Sequence, residues 1–257
     1  MGSRHFAELH AHSYFTFLEG ADAPEDYVSS AQKLDLSALA LLEVDGMYSL
    51  IRALQAAKES SFPLLIGSEL TLDAGQFSRY SSSKEVARGW GLPKGWEDRG
   101  IRLPILTTSA QGYRDLCHLM SEYTLTHDAQ ESPAHGLGNI AQMGDIRILT
   151  GGSRGPLRRI LHAQGHTQAD RFLKDLIALF GRERILLESV LMPGQDDLGR
   201  ELAELAQANC LTLVASAAPV MAYPQSKYRA DLLCSLRQGR SLDDLQYRLP
   251  AQHAFGY

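Results

Sequence analysis

His10 and His12 stand at the end of an apolar β-type run, Phe6 to Leu9, in the stretch Leu9-His10-Ala11-His12. Side chains at i and i+2 of a strand share a face, so the two imidazoles can converge on one divalent ion. Imidazole suits zinc, iron and nickel. By itself the pair reads equally as partly buried histidines hydrogen-bonded to neighbours. Two acids favour the metal: Glu19 follows at short range in Phe17-Leu18-Glu19-Gly20, and Glu69 begins a later strand in Ile66-Gly67-Ser68-Glu69-Leu70. Two histidines and a carboxylate with one open position form a catalytic zinc-type arrangement.

Other chemistry-bearing residues have plainer readings. Thr150-Gly151-Gly152-Ser153-Arg154-Gly155 lies between a strand and a helix. Glycines there let backbone amides reach an anion, helped by the helix dipole and by Arg154, Arg158 or Arg159. The plain alternative, a tight turn with a solvated basic face, is the preferred one, because neither a Walker lysine nor a dinucleotide fingerprint is present. Trp90 and Trp96 sit among Arg88, Lys94 and Arg99. Such aromatics can stack on single-stranded bases, but more often pin an insertion to the body of a domain. Asp196-Asp197 and Asp243-Asp244 read as helix-starting acids. His118, His127, His135, His162 and His166 form no spaced cluster and read as surface residues.

Positioning these groups requires alternating β and α elements. Strand patterns run over Phe6–Leu9, Leu36–Leu42, Phe62–Ile66, Glu69–Leu72, Arg102–Leu106, Ile146–Leu149, Ile185–Glu188 and Leu211–Ala215. Helical patterns run from Ala23 to Leu34, Met47 to Glu59, Gln111 to Tyr123, Pro156 to His162, Asp170 to Phe180, Asp197 to Ala208 and about Lys227 to Arg237. The first opens on Pro24 with Glu25 and Asp26 at the positive end of its dipole. Leu36–Leu42 is continuously apolar, as in a strand buried on both faces. The rhythm predicts a parallel sheet covered by helices, closed or open. In a barrel the site lies at the C-terminal strand ends. Residues 73–100 break the rhythm and read as a surface insertion in one domain over 1–257.

The 257 residues are 44% hydrophobic, enough for one sizeable core. Net charge is −5, whereas domains that hold nucleic acid through its phosphates are usually basic; weak or no nucleic-acid binding by this domain is expected. Cys117, Cys210 and Cys234 are widely spaced with no CxxC pair, so buried free thiols in a reducing compartment are predicted. No apolar run suits a signal peptide or a membrane span, which predicts a cytoplasmic protein.

The order of motifs resembles the PHP (polymerase and histidinol phosphatase) domain of bacterial C-family DNA polymerase III α subunits, nearest the error-prone branch. The matching stretches are AELHAHSYFTFLEGADAPEDYV, LSALALLEVDGMYSLIRALQAAKE, PLLIGSELTL, LPILTTSAQGYRDLCHLM, ILTGGSRGPLRRIL and LTLVASAAPVMAYPQSKYRADLLCSLRQGRSLDD. They cover nearly the whole chain. The resemblance implies an α/β fold, a distorted (β/α)7 TIM-like barrel with a trinuclear metal site, linked to phosphoester hydrolysis and, in some polymerases, to 3′-5′ exonuclease proofreading.

Matched residue by residue, the metal site is degenerate. His10 and His12 fit the first ligand pair, Glu19 an acidic or histidine ligand, and Glu69 the bridging carboxylate. The second-strand Thr-Asp-His-Asp motif stands as Leu42-Glu43-Val44-Asp45, with Val44 for the histidine. Arg102 stands for a histidine, Gly152 for a cysteine or histidine, and Ala218 and Val220 for the late Asp-x-His pair. The first metal keeps His10, His12 and Glu69 and loses Ala218's position; the second keeps Glu69 alone, the third Glu19 alone. Valine offers no donor and a guanidinium does not deprotonate to become one, so a trinuclear centre is excluded and one residual mononuclear site (Zn, Mn or Fe) remains. Arg102 is predicted to pair with Glu69 in the metal's stead. The implied role is a catalytically silent, structural PHP domain in replication or repair synthesis, supporting a polymerase module and contacting other replication or translesion subunits. One alternative is a residual phosphoesterase or exonuclease with Glu43 or Asp45 as base; the other is an anion- or partner-binding module.

Overall fold

A computed structural model describes residues 6–80, 100–126, 134–190 and 196–245. In chain order its elements are β1 (Ala7–Ala11), α1 (Pro24–Lys33), β2 (Ala38–Leu41), α2 (Leu50–Ser60), β3 (Leu64–Leu65), β4 (Gly67–Leu72), β5 (Ile101–Thr107), α3 (Ala110–Thr126), α4 (Leu137–Ala141), β6 (Ile146–Leu149), α5 (Pro156–Gln164), α6 (His166–Phe180), β7 (Ile185–Val190), α7 (Asp196–Ala208), β8 (Thr212–Ser216) and α8 (Lys227–Gln238). They form two compact units. The first comprises the described residues up to Ile66 and from Ser216 onward; the second is Gly67–Ala215.

The first unit is built from successive βαβ connections. Strands β1, β2 and β3 run parallel in that order, and α1 and α2 supply the long connections parallel strands need. Pro24 fixes the first helical position and the Asp26 carboxylate accepts from the Ala23 amide at 3.2 Å, so α1 begins where the sequence places it. Tyr27, Val28 and Ala31 of α1 pack with Leu39, Leu41, Ala53, Ala57 and Ala222. Small residues on both helices let them sit close on the sheet. The chain beyond β8 returns to this unit. Buried Asp22 ties it down, accepting from the Ala222 amide (2.8 Å), the Ser226 hydroxyl (2.7 Å) and Arg229 (2.8 Å).

The second unit holds a five-stranded sheet in the order β4-β5-β6-β7-β8. Its core is Leu70, Leu103, Ile105, Ile146 and Ile148 from the strands with Leu157, Ile160, Phe172 and Leu173 from α5 and α6, all buried. The all-parallel sheet read from the alternation does not hold here: β5 is antiparallel to both β4 and β6, whereas β6 and β7 pair in parallel. Apolar runs carry no direction, and β4 reaches β5 without the crossover helix that a parallel partner requires. Of the segment read as a surface insertion, 81–99 lies outside the described residues, with Trp90 and Trp96. Its beginning joins the core: Phe77 and Tyr80 are buried, their rings 6.0 and 5.3 Å from that of Phe172, and the Tyr80 hydroxyl donates to Asp175 at 2.5 Å.

Candidate metal centre

Strand β1 ends by delivering His10 and His12 to one side. Both are buried, with ring centroids 5.0 Å apart and ring planes at 63°. The strand end is fixed from below by Glu8, a buried carboxylate that accepts from the His10 amide (2.9 Å) and the Ala217 amide (2.8 Å). The His12 amide donates to Pro219 O at 3.1 Å. Behind His12 sits Thr16, whose Oγ1 is 3.5 Å from His12 Nδ1 and donates to Glu43 Oε2 at 2.5 Å. If His12 carries its proton on Nδ1, this chain orients the ring and leaves Nε2 as a donor to metal, the usual arrangement behind a ligating histidine.

Glu43 is fully buried and already engaged. Its Oε1 accepts from the Ser13 hydroxyl at 2.5 Å and from the Ser13 amide at 3.4 Å, and Ser49 adds a further hydrogen bond. Burial pushes its carboxyl above the usual 4.5, against the opposing pull of those hydroxyls. It braces the loop after β1. Val44 follows it with no donor atom. Asp45 adopts a left-handed backbone, φ 50°.

Glu19 is also buried, and a guanidinium attends it: Arg237 of α8 places Nη1 3.9 Å from Glu19 Oε1 and donates to Leu18 O at 3.1 Å. Ala218 keeps a left-handed φ of 44°, and at Val220 the backbone carbonyl accepts from the Ala21 amide at 2.7 Å. Neither side chain can ligate a metal.

In the second unit, Glu69 faces Pro104 and Arg102 faces Thr71 across the β4–β5 ladder. Glu69 and Arg102 are therefore diagonal neighbours on one face. Arg102 Nη1 lies 3.3 Å from Glu69 Oε2, and the side chains are only 10% and 4% exposed. The pairing anticipated from the substitution is present. A Cβ at Gly152 would come within 2.9 Å of Val190 Cγ2, so the space for a ligating side chain there has closed. Gly151 takes φ 77°, and a Cβ at Gly155 would meet Thr150 O at 2.1 Å; the turn needs both glycines.

Other sequence readings need correcting. His135 is buried, not on the surface: its amide donates to Thr71 O at 2.8 Å and its ring lies 5.2 Å from Tyr123. His118, His162 and His166 are exposed, and His127 lies outside the described residues. Cys210 is exposed, whereas Cys234 is buried and Cys117 partly so; all are free. Residues that the sequence reading missed include Glu8, Ser13, Thr16, Asp22 and Arg237. Among the described residues, no helix is long and apolar enough to cross a membrane.

This fold and this strand-end geometry define a mixed α/β protein. A family model described as the PHP domain matches residues 8–190, and the chain belongs to that family. Solved structures agree on the fold. An amidohydrolase from Chromobacterium violaceum superposes with a TM-score of 0.57 at 14% identity, covering 84% of this chain and 87% of that one. A protein from Bifidobacterium adolescentis assigned as a metal-dependent phosphoesterase gives 0.52 at 14%, covering 84% and 88%. Within the family the likeness is to error-prone DNA polymerases: 34% identity over 95% of the chain for Cutibacterium acnes, and 31% over 93% for both Nocardia farcinica and Mycobacterium tuberculosis. The chain spans 21%, 24% and 21% of those relatives.

The donor types at His10 and His12 fit a divalent metal. Val44, Arg102, Gly152, Ala218 and Val220 carry no side chain that can ligate a metal.

Proposed function

We propose that this chain is a catalytically silent PHP domain of an error-prone-polymerase type of protein, acting as a scaffold for a polymerase module. One observation carries the reading: Glu69, matched to the bridging ligand, is held by the buried Arg102 guanidinium at 3.3 Å. Glu19 faces Arg237 in a weaker version of the same exchange. A guanidinium supplies the positive charge that a carboxylate at a strand end requires, but it has no open coordination position and cannot lower the pKa of a water. Partner subunits and a place in replication or repair synthesis follow from the likeness to the polymerases and belong to the same proposal, as does treating 1–257 as one domain.

The test is hydrolysis of a chromogenic phosphodiester with added Mn(II) or Zn(II). The expected rate equals that of a His12→Ala control. Turnover above that control would overturn the reading.

A second reading rests on the His10–His12 pair and the Thr16–Glu43 chain behind it. Here His10 and His12 hold one Zn, Mn or Fe ion, with Glu69 assigned to the same ion by the resemblance. Such an ion would polarise a phosphoryl oxygen or activate a water. This chain's part would be to orient the His12 ring through Thr16. Glu43 is engaged by hydroxyl donors, and Asp45 is the other candidate base that the sequence offers. A single ion forgoes the clamp on attacking and leaving oxygens that multi-metal sites provide, which favours the silent domain.

A further inference from the structure

Helix α8 turns its small residues inward and its large apolar ones outward. Ala230, Cys234 and Ser235 are buried, and Ala230 joins Ala21 and Met221 in a cluster on which Leu233 packs. Tyr228, Leu232 and Leu236 are 70%, 41% and 61% exposed. They recur at every fourth residue and so form one ridge along the helix. Single exposed leucines are ordinary on a protein surface, whereas a contiguous apolar patch marks a place where something binds. Of the twelve large apolar side chains exposed among the described residues, all but Leu125, Leu179 and Leu213 belong to the first unit, which contains α8.

The ridge is firmly held. Arg229 Nη1 donates to Ala21 O at 2.9 Å and to Asp22 at 2.8 Å, and Arg237 Nη1 donates to Leu18 O at 3.1 Å. These bonds fasten α8 to the segment after β1. The ridge is therefore in place before anything binds, which lowers the cost of docking.

Its rim is basic. Asp231 is the one acid of α8; it pairs with Lys227, and the two side chains are only 14% and 22% exposed. The Arg229 side chain stays 61% exposed while it holds Asp22, and it neighbours Leu232 three residues on. Arg240, just beyond the helix, is exposed as well. An apolar ridge beside exposed guanidiniums is complementary to an amphipathic helix whose own ridge is flanked by Asp or Glu.

Size separates the possible partners. The ridge offers on the order of 350 Å² of apolar surface, against the ~800 Å² per partner that stable complexes of separate molecules bury. A second copy of the chain would hold too weakly on it. A helix of the same polypeptide needs less area, because a tether gives an effective concentration of millimolar order. The chain spans 21% of the Cutibacterium acnes polymerase, so in a protein of that kind most of the polypeptide is available to supply the helix. We propose that the Tyr228–Leu232–Leu236 face of α8 docks an acidic-flanked amphipathic helix of the polymerase module. The proposal rests on the reading of this chain as that module's scaffold, and it names the surface and the partner chemistry.

The test uses the full 257-residue chain and fluorescence anisotropy of labelled peptides. The first probe is an alanine-based helix of about twenty residues, with leucine at every fourth position and glutamate beside each leucine; a control carries lysine for glutamate. The acidic helix is expected to bind wild type saturably and at least about tenfold more tightly than the lysine control. Leu232→Asp is expected to weaken it by about tenfold or more. Tyr228→Ser, at the most exposed position of the ridge, repeats the test with a change that leaves the fold intact. No binding, or binding undiminished in both variants, overturns the proposal and leaves the silent-scaffold reading standing. Peptides of the same length tiled across the unmatched part of the C. acnes polymerase are the second probe. A tile that binds wild type and not Leu232→Asp supports the polymerase module as the source of the helix. An acidic helix that binds while no tile does would overturn that occupant, together with the polymerase-module part of the reading beneath it. Sedimentation of the chain alone is expected to show a monomer; a dimer abolished by Leu232→Asp would give the face to a second copy and overturn the proposal.

Discussion

Replacing Arg102 by Met isolates the exchange of a metal for a guanidinium. Methionine retains most of the aliphatic stem and removes the charge. At the observed 3.3 Å, two unit charges interact by about 5 kcal/mol at an effective dielectric of about 20. The desolvation of both groups offsets much of that when the pair forms. It is not recovered when only one partner is removed, because Glu69 then stays buried at 4% exposure. The expected loss is about 3–5 kcal/mol, a large share of the roughly 5–15 kcal/mol by which domains are stable. Removing both charges in Arg102→Met/Glu69→Gln should restore most of it, since no uncompensated charge remains. Urea unfolding at pH 7, with ΔG from linear extrapolation at constant m, measures both. A loss below about 1 kcal/mol for Arg102→Met, the value of a surface pair, would show that the guanidinium does not neutralise Glu69. A double variant as unstable as the single would show that packing, not charge, is at stake.

Three further outcomes are expected. Burial raises the Glu43 carboxyl above 4.5, so the fold holds that proton more tightly than the unfolded chain does. Its stabilising contribution is complete below 4.5 and is lost as pH rises through the folded value; a Glu43→Gln variant should flatten that decline in pH-dependent unfolding, and an unchanged profile would count against a raised carboxyl. Ala218→Gly relieves a left-handed backbone at φ 44° and should gain up to about 1 kcal/mol after the glycine's greater unfolded entropy is subtracted; a loss in chemical denaturation would mean that the Ala218 side chain packs usefully. Asp22→Ala abandons the Ala222 amide, the Ser226 hydroxyl and Arg229 and should cost about 2–4 kcal/mol by the same assay, with a cost near zero showing that the returning chain is held elsewhere.

Much of the site was legible because it is local. A two-residue spacing at the end of β1 is enough to place His10 and His12 together, and Pro24 with its following acids marks the start of α1. The Arg102–Glu69 pair could be anticipated once both were placed on neighbouring strands, since a basic residue in place of a metal ligand needs an acid. What the sequence did not show is set by distant or unpatterned contacts. Arg237 reaches Leu18 across 219 positions, and no periodicity links them. Ser13 and Thr16 look like loop hydroxyls until Glu43 is seen to accept from both. His135 resembles a surface histidine in a polar stretch, yet its backbone extends the edge of β4 and its ring is covered by Tyr123. The antiparallel β4–β5–β6 run was invisible because an apolar run has the same composition in either direction.

Metal content per chain tests the central claim most directly. Elemental analysis of protein purified without chelator and without a histidine tag, then incubated with Zn(II) or Mn(II) and desalted, gives the number bound. The account predicts no more than one equivalent, on His10 and His12, lost in His10→Ala; an undetectable level fits the silent scaffold equally well. Two or three tightly held equivalents would contradict it, because Val44, Arg102, Gly152, Ala218 and Val220 provide no donors for a multi-metal centre.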